Sequence, residues 1–572
     1  MPRRYFSFFL HAHLPWVLGH GRWPHGVEWV CEACLGSYIP LVRALRRLSA
    51  RGVRGGVTLS VSPVLAEQLA NARFGPILRE YVEERGRTAG DDARRFARAG
   101  RDELAELARR WRAFYEDTLR AFFEELGGDL PRALADLEAR GAVEMATCAA
   151  THGYLPLLGR DETIALQLEL ARRVHERRFG RVPEGLWLPE MAYRPAGPWR
   201  PPVGDAPPRE RVGIERLVGL AGFRWVPVDT ALLRGGRSVG AWSDLLAAPP
   251  GAPGRRRAPA DAARTADAPD TRRSYHIASD DPARSTGCFV RDGATSLQVW
   301  SGETGYPGDG AYLEFHKKSD SGGHRYWRVT GPRVPLGDKE PYRPEEAAAR
   351  VGGHASHFRS LVTSVLEGSA EGAIVVAPYD AELFGHWWFE GIAWLENVLS
   401  QLHADPRVEL TTLGRHWREV PPDGAVALPE GSWGNGGGHD VWRNPRVNWT
   451  WELSLPAERD FWELETRAAS SGDEETRTVL RAAARQLMLL VASDWAFLMT
   501  TEGATDYAAE RVRGHADDFA RLLDVARRLL RGGELRDEDR ELLRTVGERD
   551  DLFPEIGDAI EAALRDARAA TR

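Results

Sequence analysis

The sequence predicts an α/β barrel followed by a C-terminal helical domain. Three observations lead there. Short apolar runs alternate with helical patterns through the first 420 or so residues, the signature of strand–helix repeats around a parallel sheet. Several of those runs end directly in acids and histidines, as expected where a site is built at the C-terminal ends of barrel strands. Beyond about Pro421 the strand-like runs stop and mainly helical periodicity continues.

The elements follow in order. Tyr5 to Leu10 is the first strand and ends in His11-Ala-His13-Leu-Pro15. Alternation along a strand sends His11 and His13 to the same side. Such a pair suits a metal or hydrogen bonds to a substrate, and two histidines alone are a weak metal signal. Arg22, Trp23, Glu28 and Trp29 are expected in a loop, with a helix from about Glu32 to Leu48. Val57 to Val61 is the second strand. Leu104, Leu107, Trp111, Phe114, Tyr115, Leu119 and Phe122 then recur at three- and four-residue steps, an apolar helix stripe that Gly127-Gly128 ends.

Val143 to Cys148 is the third strand, with Thr151, His152 and Tyr154 just after it. Asp161 to Phe179 reads as a helix. Gly185 to Leu188 is the fourth strand and runs into Pro189-Glu190. Glu215 to Val228 reads as helix then strand. Pro249 to Arg273 is rich in Pro, Ala, Arg and Asp with no apolar period, so a loop or disordered insert is expected. Cys288 to Val290 is a short strand leading into Arg291-Asp292. A Gly/Pro-dense loop covers 296–309, and Pro344 to Glu367 is helical.

The central stretch is Glu371 to Gly391. Ala373 to Ala377 suits a strand buried on both faces, and Pro378 is expected to stop it for lack of a backbone donor. Beyond lie Tyr379, Asp380, Glu382, His386, Trp387 and Trp388. Val408 to Thr411 is the last strand candidate. A Gly/Trp/Asn-rich segment then spans 431–452. A helix follows, predicted to start at the capping box Ser471-x-x-Glu474 and to lead into Ser493-Asp494-Trp495.

Composition bounds the function. Hydrophobic residues make up 43% and charged residues 28%, ordinary for a soluble chain. A net charge of -7 without a basic face argues against a nucleic-acid partner. No apolar run approaches the ~20 residues that span a bilayer, and the N-terminus does not read as a signal peptide. Cytoplasmic location and no membrane partner are the expectation. Cys31 and Cys34 form C-x-x-C with no second pair, so two buried thiols are expected rather than zinc. Four cysteines in 572 residues fit a reducing compartment. The 20 tryptophans supply flat faces that stack on sugar rings.

Glu190 and Asp380 stand at the ends of different strands, and a closed barrel brings strand ends to one face. Two carboxyls flanking a glycosidic bond are what glycoside chemistry needs. Tyr193, Trp387 and Trp388 would hold the sugar. His11, His13 and His152 would bond its hydroxyls or the nucleophile. Metal-dependent deacetylation with those histidines as ligands would need an Asp near the first strand, and HAHLP has none. A non-catalytic glycan-binding homologue would usually lack one acid.

Seven stretches carry a specific resemblance: HAHLP (11–15), VEMATCAATHGYLPLL (143–158), WLPEMAYRP (187–195), RDGATSLQVWSGETGYPGD (291–309), APYDAELFGHWWFEG (377–391), SWGNGGGHDVWRNPRVNWTWE (432–452) and SDWAFLMT (493–500). The chain resembles glycoside hydrolase family 57 and, within it, the 1,4-α-glucan branching subgroup. The resemblance implies a (β/α)7 barrel, incomplete relative to the eight-stranded form, with inserted segments and a C-terminal helical domain. The catalytic barrel would comprise 1–198, with a helical excursion about 75–137, and 286–420. An insert with a mobile loop about 235–285 would occupy 199–285, and the helical domain 421–572 would add to the groove.

The resemblance also implies a retaining double displacement on α-1,4-glucan, with Glu190 as nucleophile and Asp380 as acid/base. Arg291, Gly308, Trp433 and Asp494 match substrate-contacting positions, and Trp300 and Trp442 match groove aromatics. Neither metal nor organic cofactor is implied; a monomer is expected. Tyr275 is assigned the mobile-loop tyrosine of the subgroup. Gly503 stands where a polar substrate contact is expected. An α-amylase or 4-α-glucanotransferase of the same family is the alternative.

Overall fold

A computed structural model describes residues 2–235, 269–279, 286–301, 304–471 and 473–571. Seven strands form its centre: β1 (Tyr5–Ala12), β2 (Val57–Val61), β3 (Glu144–Cys148), β4 (Leu186–Trp187), β5 (Trp225–Val228), β6 (Gly287–Val290) and β7 (Ile374–Asp380). β7 pairs with β1, β1 with β2, β2 with β3, β3 with β4 and β5 with β6, all parallel. Two single parallel bridges, Gly185 to Trp225 and Arg291 to Val376, complete the ring. The result is a closed barrel of seven parallel strands. The strands bury nearly every side chain, which is why they read as continuous apolar runs rather than alternating ones.

Pro378 does not end its strand. β7 runs on to Asp380, and Phe9 is the register partner of Pro378. The Tyr5 N–H bonds to the Ala373 carbonyl, whereas the Asp292 N–H bonds to the Val376 carbonyl on the other side. Backbone groups of even-numbered β7 residues therefore point away from β1. Pro378 lacks its donor on that side, so the β1 ladder loses nothing. The extra length carries Asp380 into register with His11.

The first helix starts earlier than expected. Val27–Ala33 is helical and continues through a π-turn, Cys34–Tyr38, into Ile39–Ala50. Glu28 and Trp29 thus belong to the helix. Cys31, Cys34, Cys148 and Cys288 are free and buried. Asp161–Phe179 forms as expected, with acids in its first turn, arginines in its last and Gly180 in the left-handed conformation at its end, all favourable to the helix dipole and C-cap. The excursion is a hairpin of two helices, Phe74–Arg98 and Asp102–Arg120.

Six helices between Asn448 and Ala570 follow the barrel. The one at Glu474–Leu490 is capped by Asp473, whose carboxylate accepts from the Glu475 N–H, so its cap lies two residues beyond the expected start. The last helix, Ile556–Ala570, packs against Asp161–Phe179, leaving that barrel helix buried around much of its circumference. Among the described residues no helix is long and apolar enough to cross a membrane.

Tyr275 lies in a short strand, Tyr275–Ile277, paired antiparallel with β6. It is buried, and its hydroxyl donates to the Asp270 carbonyl. The Arg272 carbonyl beside it receives the N–H of Ile374, the first residue of β7. This is the N-terminal end of the barrel, opposite Asp380, and not a position from which a loop tyrosine reaches the strand ends. Most of the expected mobile loop, 236–268 and 280–285, lies outside the described residues.

Candidate active site

The C-terminal strand ends gather His11, His13, Ser60, Ser62, His152, Glu190, Arg291, Asp380 and Glu382 on one face of the barrel. Glu190 follows β4 with φ 61° and ψ 22°, and His152 follows β3 with φ 58°. Left-handed backbone at a non-glycine residue costs of order 1–3 kcal/mol and persists where surrounding contacts enforce it. For Glu190 those contacts come from Trp433. Its backbone N–H donates to the Glu190 carbonyl at 3.0 Å and its indole N–H to Glu190 Oε2 at 2.8 Å. Burial raises the Glu190 carboxyl to about 7, against the opposing bond from Trp433.

Asp380 is buried and held well above the ordinary aspartate range, first by burial, then by the charges of Glu382 and Glu190, with Arg291 opposing. An ionised Glu190 therefore keeps the proton on Asp380. That pattern, one carboxyl stabilised by a donor and its neighbour kept protonated, separates a nucleophile from an acid. Glu382 accepts from the His13 N–H at 3.0 Å and from the Tyr38 hydroxyl. Burial raises it to about 7 as well.

The histidines are committed to the protein. His11 uses Nδ1 on Ser60 Oγ at 3.3 Å and Nε2 on His152 Nε2 at 3.0 Å. His152 uses Nδ1 on Ser493 Oγ at 2.7 Å. His13 lies between Ser62 Oγ at 2.8 Å and the Asp494 carboxylate at 3.1 Å. Neither His11 nor His152 has a nitrogen left for a sugar hydroxyl. Among the described residues, two triplets bring ligand-type atoms within 4.8 Å, His11–Cys148–His152 and His13–His152–Asp494. Their ring nitrogens already serve these bonds, so neither triplet is a preformed metal site.

The other expected contacts divide. Arg291 is buried, paired with Asp229 at 3.2 Å, bonded to Ser296 at 2.8 Å, and lies under the Trp433 ring at 5.7 Å. Trp387 is half-buried next to His386. Trp300 packs on Tyr379 and Trp442 stacks on Tyr154 at 4.3 Å. Both are buried, so in this conformation they are packing groups rather than open platforms. Gly308 ends a short turn, Tyr306–Gly308, whose Tyr306 bonds His357. Gly503 donates its N–H to the Leu498 carbonyl.

Sequence reasoning left out Ser60, Ser493, Tyr38 and Asp229 as site residues, and it placed Glu382 in the central stretch without giving it a role. A signal existed for two of them. Ser60 is the register partner of His11 in a strand whose alternation was already read, and Ser493 adjoins Asp494.

A closed α/β barrel with three elevated carboxyls at its strand ends, one bonded by a tryptophan, has the frame of a carbohydrate-active hydrolase or transferase. Residues 7–429 match the model of glycosyl hydrolase family 57, and residues 455–560 match that of the 1,4-alpha-glucan branching enzyme C-terminal region. The chain belongs to glycosyl hydrolase family 57. It is 40% identical over 554 residues to a 1,4-alpha-glucan branching enzyme of Thermococcus kodakarensis, covering 96% of this chain and 77% of that protein. The crystal structure of a family 57 branching enzyme from that archaeon, in complex with glucose and additives, superimposes with a TM-score of 0.86 at 39% identity, covering 96% of this chain and 95% of the other. A family 57-type branching enzyme of Pyrococcus horikoshii gives 0.85 at 38% identity, covering 97% and 96%.

Proposed function

We propose that this protein is a 1,4-α-glucan branching enzyme. One observation supports this reading above the others: Ser493 and Asp494, inside the segment matching the branching-enzyme C-terminal model, bond His152 and His13 at the catalytic face. The region that matches the branching-enzyme model thus reaches the strand ends that carry Glu190 and Asp380.

The reaction runs in two displacements. Glu190, ionised, attacks the anomeric carbon of an α-1,4-linked glucosyl unit. Asp380 gives its proton to the departing 4-oxygen, and a glucosyl ester on Glu190 remains. The 6-hydroxyl of an acceptor glucan then attacks the ester as Asp380 takes its proton back. Two inversions leave an α-1,6 bond, and configuration is retained. Arg291 beside Asp380 and Asp494 beside His13 orient the sugar. Trp433 holds Glu190. The product serves glycogen-type α-glucan synthesis in the cytoplasm, which four free, buried cysteines suit, and the enzyme acts as a monomer.

Incubation with amylose tests this. New α-1,6 linkages should appear in excess over new reducing ends, and Glu190→Gln should abolish both. Reducing ends without branches would make the protein an α-amylase; neither product, with chains redistributed, would make it a 4-α-glucanotransferase. Gel filtration of the purified chain checks the monomer.

A further inference from the structure

We infer that Ser60, His11, His152 and Ser493 form one oriented hydrogen-bond chain that keeps Glu190 Oε1 free of donors and makes it the attacking oxygen. The inference rests on Glu190 being the nucleophile, and it deepens that reading.

Four protons serve the five contacts from the Thr147 carbonyl to Glu190 Oε1, so one end goes unfilled; the Ser60 bond to Thr147 at 3.0 Å is shorter than the Ser493 contact with Oε1 at 3.4 Å and sets the direction. Ser60 has one hydroxyl proton, given to the Thr147 carbonyl at 3.0 Å. Toward His11 it offers a lone pair, so His11 carries its proton on Nδ1. His11 is neutral, because burial holds it well below the ordinary histidine range; its Nε2 is therefore an acceptor. His152 must supply the proton of the 3.0 Å bond between the two Nε2 atoms. His152 is likewise kept neutral by burial, so its Nδ1 is an acceptor too. Ser493 fills it with its single proton at 2.7 Å.

Nothing then remains for Glu190. Ser493 Oγ is within donating reach of Glu190 Oε1 at 3.4 Å, the longer of its two contacts; with its one proton given to His152, it turns a lone pair there. His152 Nδ1 lies 3.8 Å from Oε1, also without a proton. Trp433 bonds Oε2 alone. One carboxylate oxygen is pinned and the other is left unbonded, which favours attack by the free one. The arrangement is held by backbone: the Ser493 N–H donates to the His152 carbonyl at 3.1 Å, and Gly153 bridges Ala492. The other ionisable groups coupled to Glu190 are Asp494, His13, Asp380, Cys148 and Tyr154. None of them donates to Oε1. Ser60 and His11 are positioning residues, acting on Glu190 only through His152 and Ser493.

Nitrogen NMR of the full-length enzyme labelled with ¹⁵N-histidine reads the tautomers, with His11→Gln and His152→Gln used for assignment. His11 should be the Nδ1–H form and His152 the Nε2–H form near neutral pH. The reverse pair, or an imidazolium at either, overturns the chain. This readout stands whether or not Glu190 is the nucleophile; that role fails separately if Glu190→Gln keeps turnover. The acid limb of kcat/KM against pH gives a second test. Ser60→Ala frees the chain to reverse, so that Ser493 can donate to Oε1, and should lower the limb by about one pH unit. Ser493→Ala should leave the limb in place or lower it. A rise of about one unit in Ser493→Ala would mean that Ser493 donates to Glu190, and the inference would fall.

Discussion

Trp433 holds Glu190 twice, through the indole N–H on Oε2 at 2.8 Å and through the backbone N–H on the Glu190 carbonyl at 3.0 Å. A residue 243 positions away thus braces the backbone and opposes the effect of burial on the carboxyl. The side-chain bond favours the carboxylate, because a donor stabilises the charged form.

Trp433→Phe keeps an aromatic ring and the backbone bond and removes the indole donor. Glu190, already raised to about 7 by burial, should rise further, since a hydrogen bond to a charged group contributes about 1.5–3 kcal/mol. The acid limb of kcat/KM should move up by about one unit or more. Activity at pH 6.5 should fall about tenfold and partly recover at pH 8.5. A pH–rate profile on amylose checks this; an unmoved limb would separate Trp433 from the ionisation of Glu190.

Glu382 acts on the opposite limb. Its charge is the largest cause after burial that holds Asp380 above its ordinary range. Asp380 must be protonated for the first displacement, so its pKa sets the basic limb. Glu382→Gln removes the charge and should shift that limb down by about one unit, with the acid limb little changed. The same profile, extended to pH 10, measures it.

Asp550 concerns stability. It is buried, and it accepts from His20 at 2.6 Å, Gln486 at 2.9 Å and Arg549 at 2.7 Å, tying the C-terminal helices to the loop after β1. Burial would raise its carboxyl, but His20, His515 and Arg549 outweigh that and depress it. A depressed carboxyl contributes stability that is fully present above the unfolded value, about 3.9. It is lost as pH falls toward the folded one. Asp550→Asn should therefore destabilise the protein at pH 7 by about 3 kcal/mol and cost less near pH 3. Thermal unfolding at both pH values gives the comparison, and an equal loss at each would refute the linkage.

The chain sequence by itself determined the local elements. Val57–Val61 and Asp161–Phe179 form with the bounds their apolar patterns indicate, because strand and helix periods are written in neighbouring residues. It also placed Glu190 and Asp380 at strand ends, since acids directly after buried runs are visible in one dimension. Pro378 misled, because whether a missing donor matters depends on which side of the strand has a neighbour. The surroundings of the aromatics were equally out of reach of the local pattern. The resemblance implied Trp300 and Trp442 as groove aromatics, and here they pack on Tyr379 and Tyr154. Only the tertiary structure decided what surrounds the carboxyls. His11 meets His152 across 141 positions and Ser493 meets Glu190 across 303. Those contacts exist only once seven strands close and the C-terminal helices dock. Burial, the shared proton of each hydroxyl and the charge state of each acid then follow from the assembled site, where no local pattern records them.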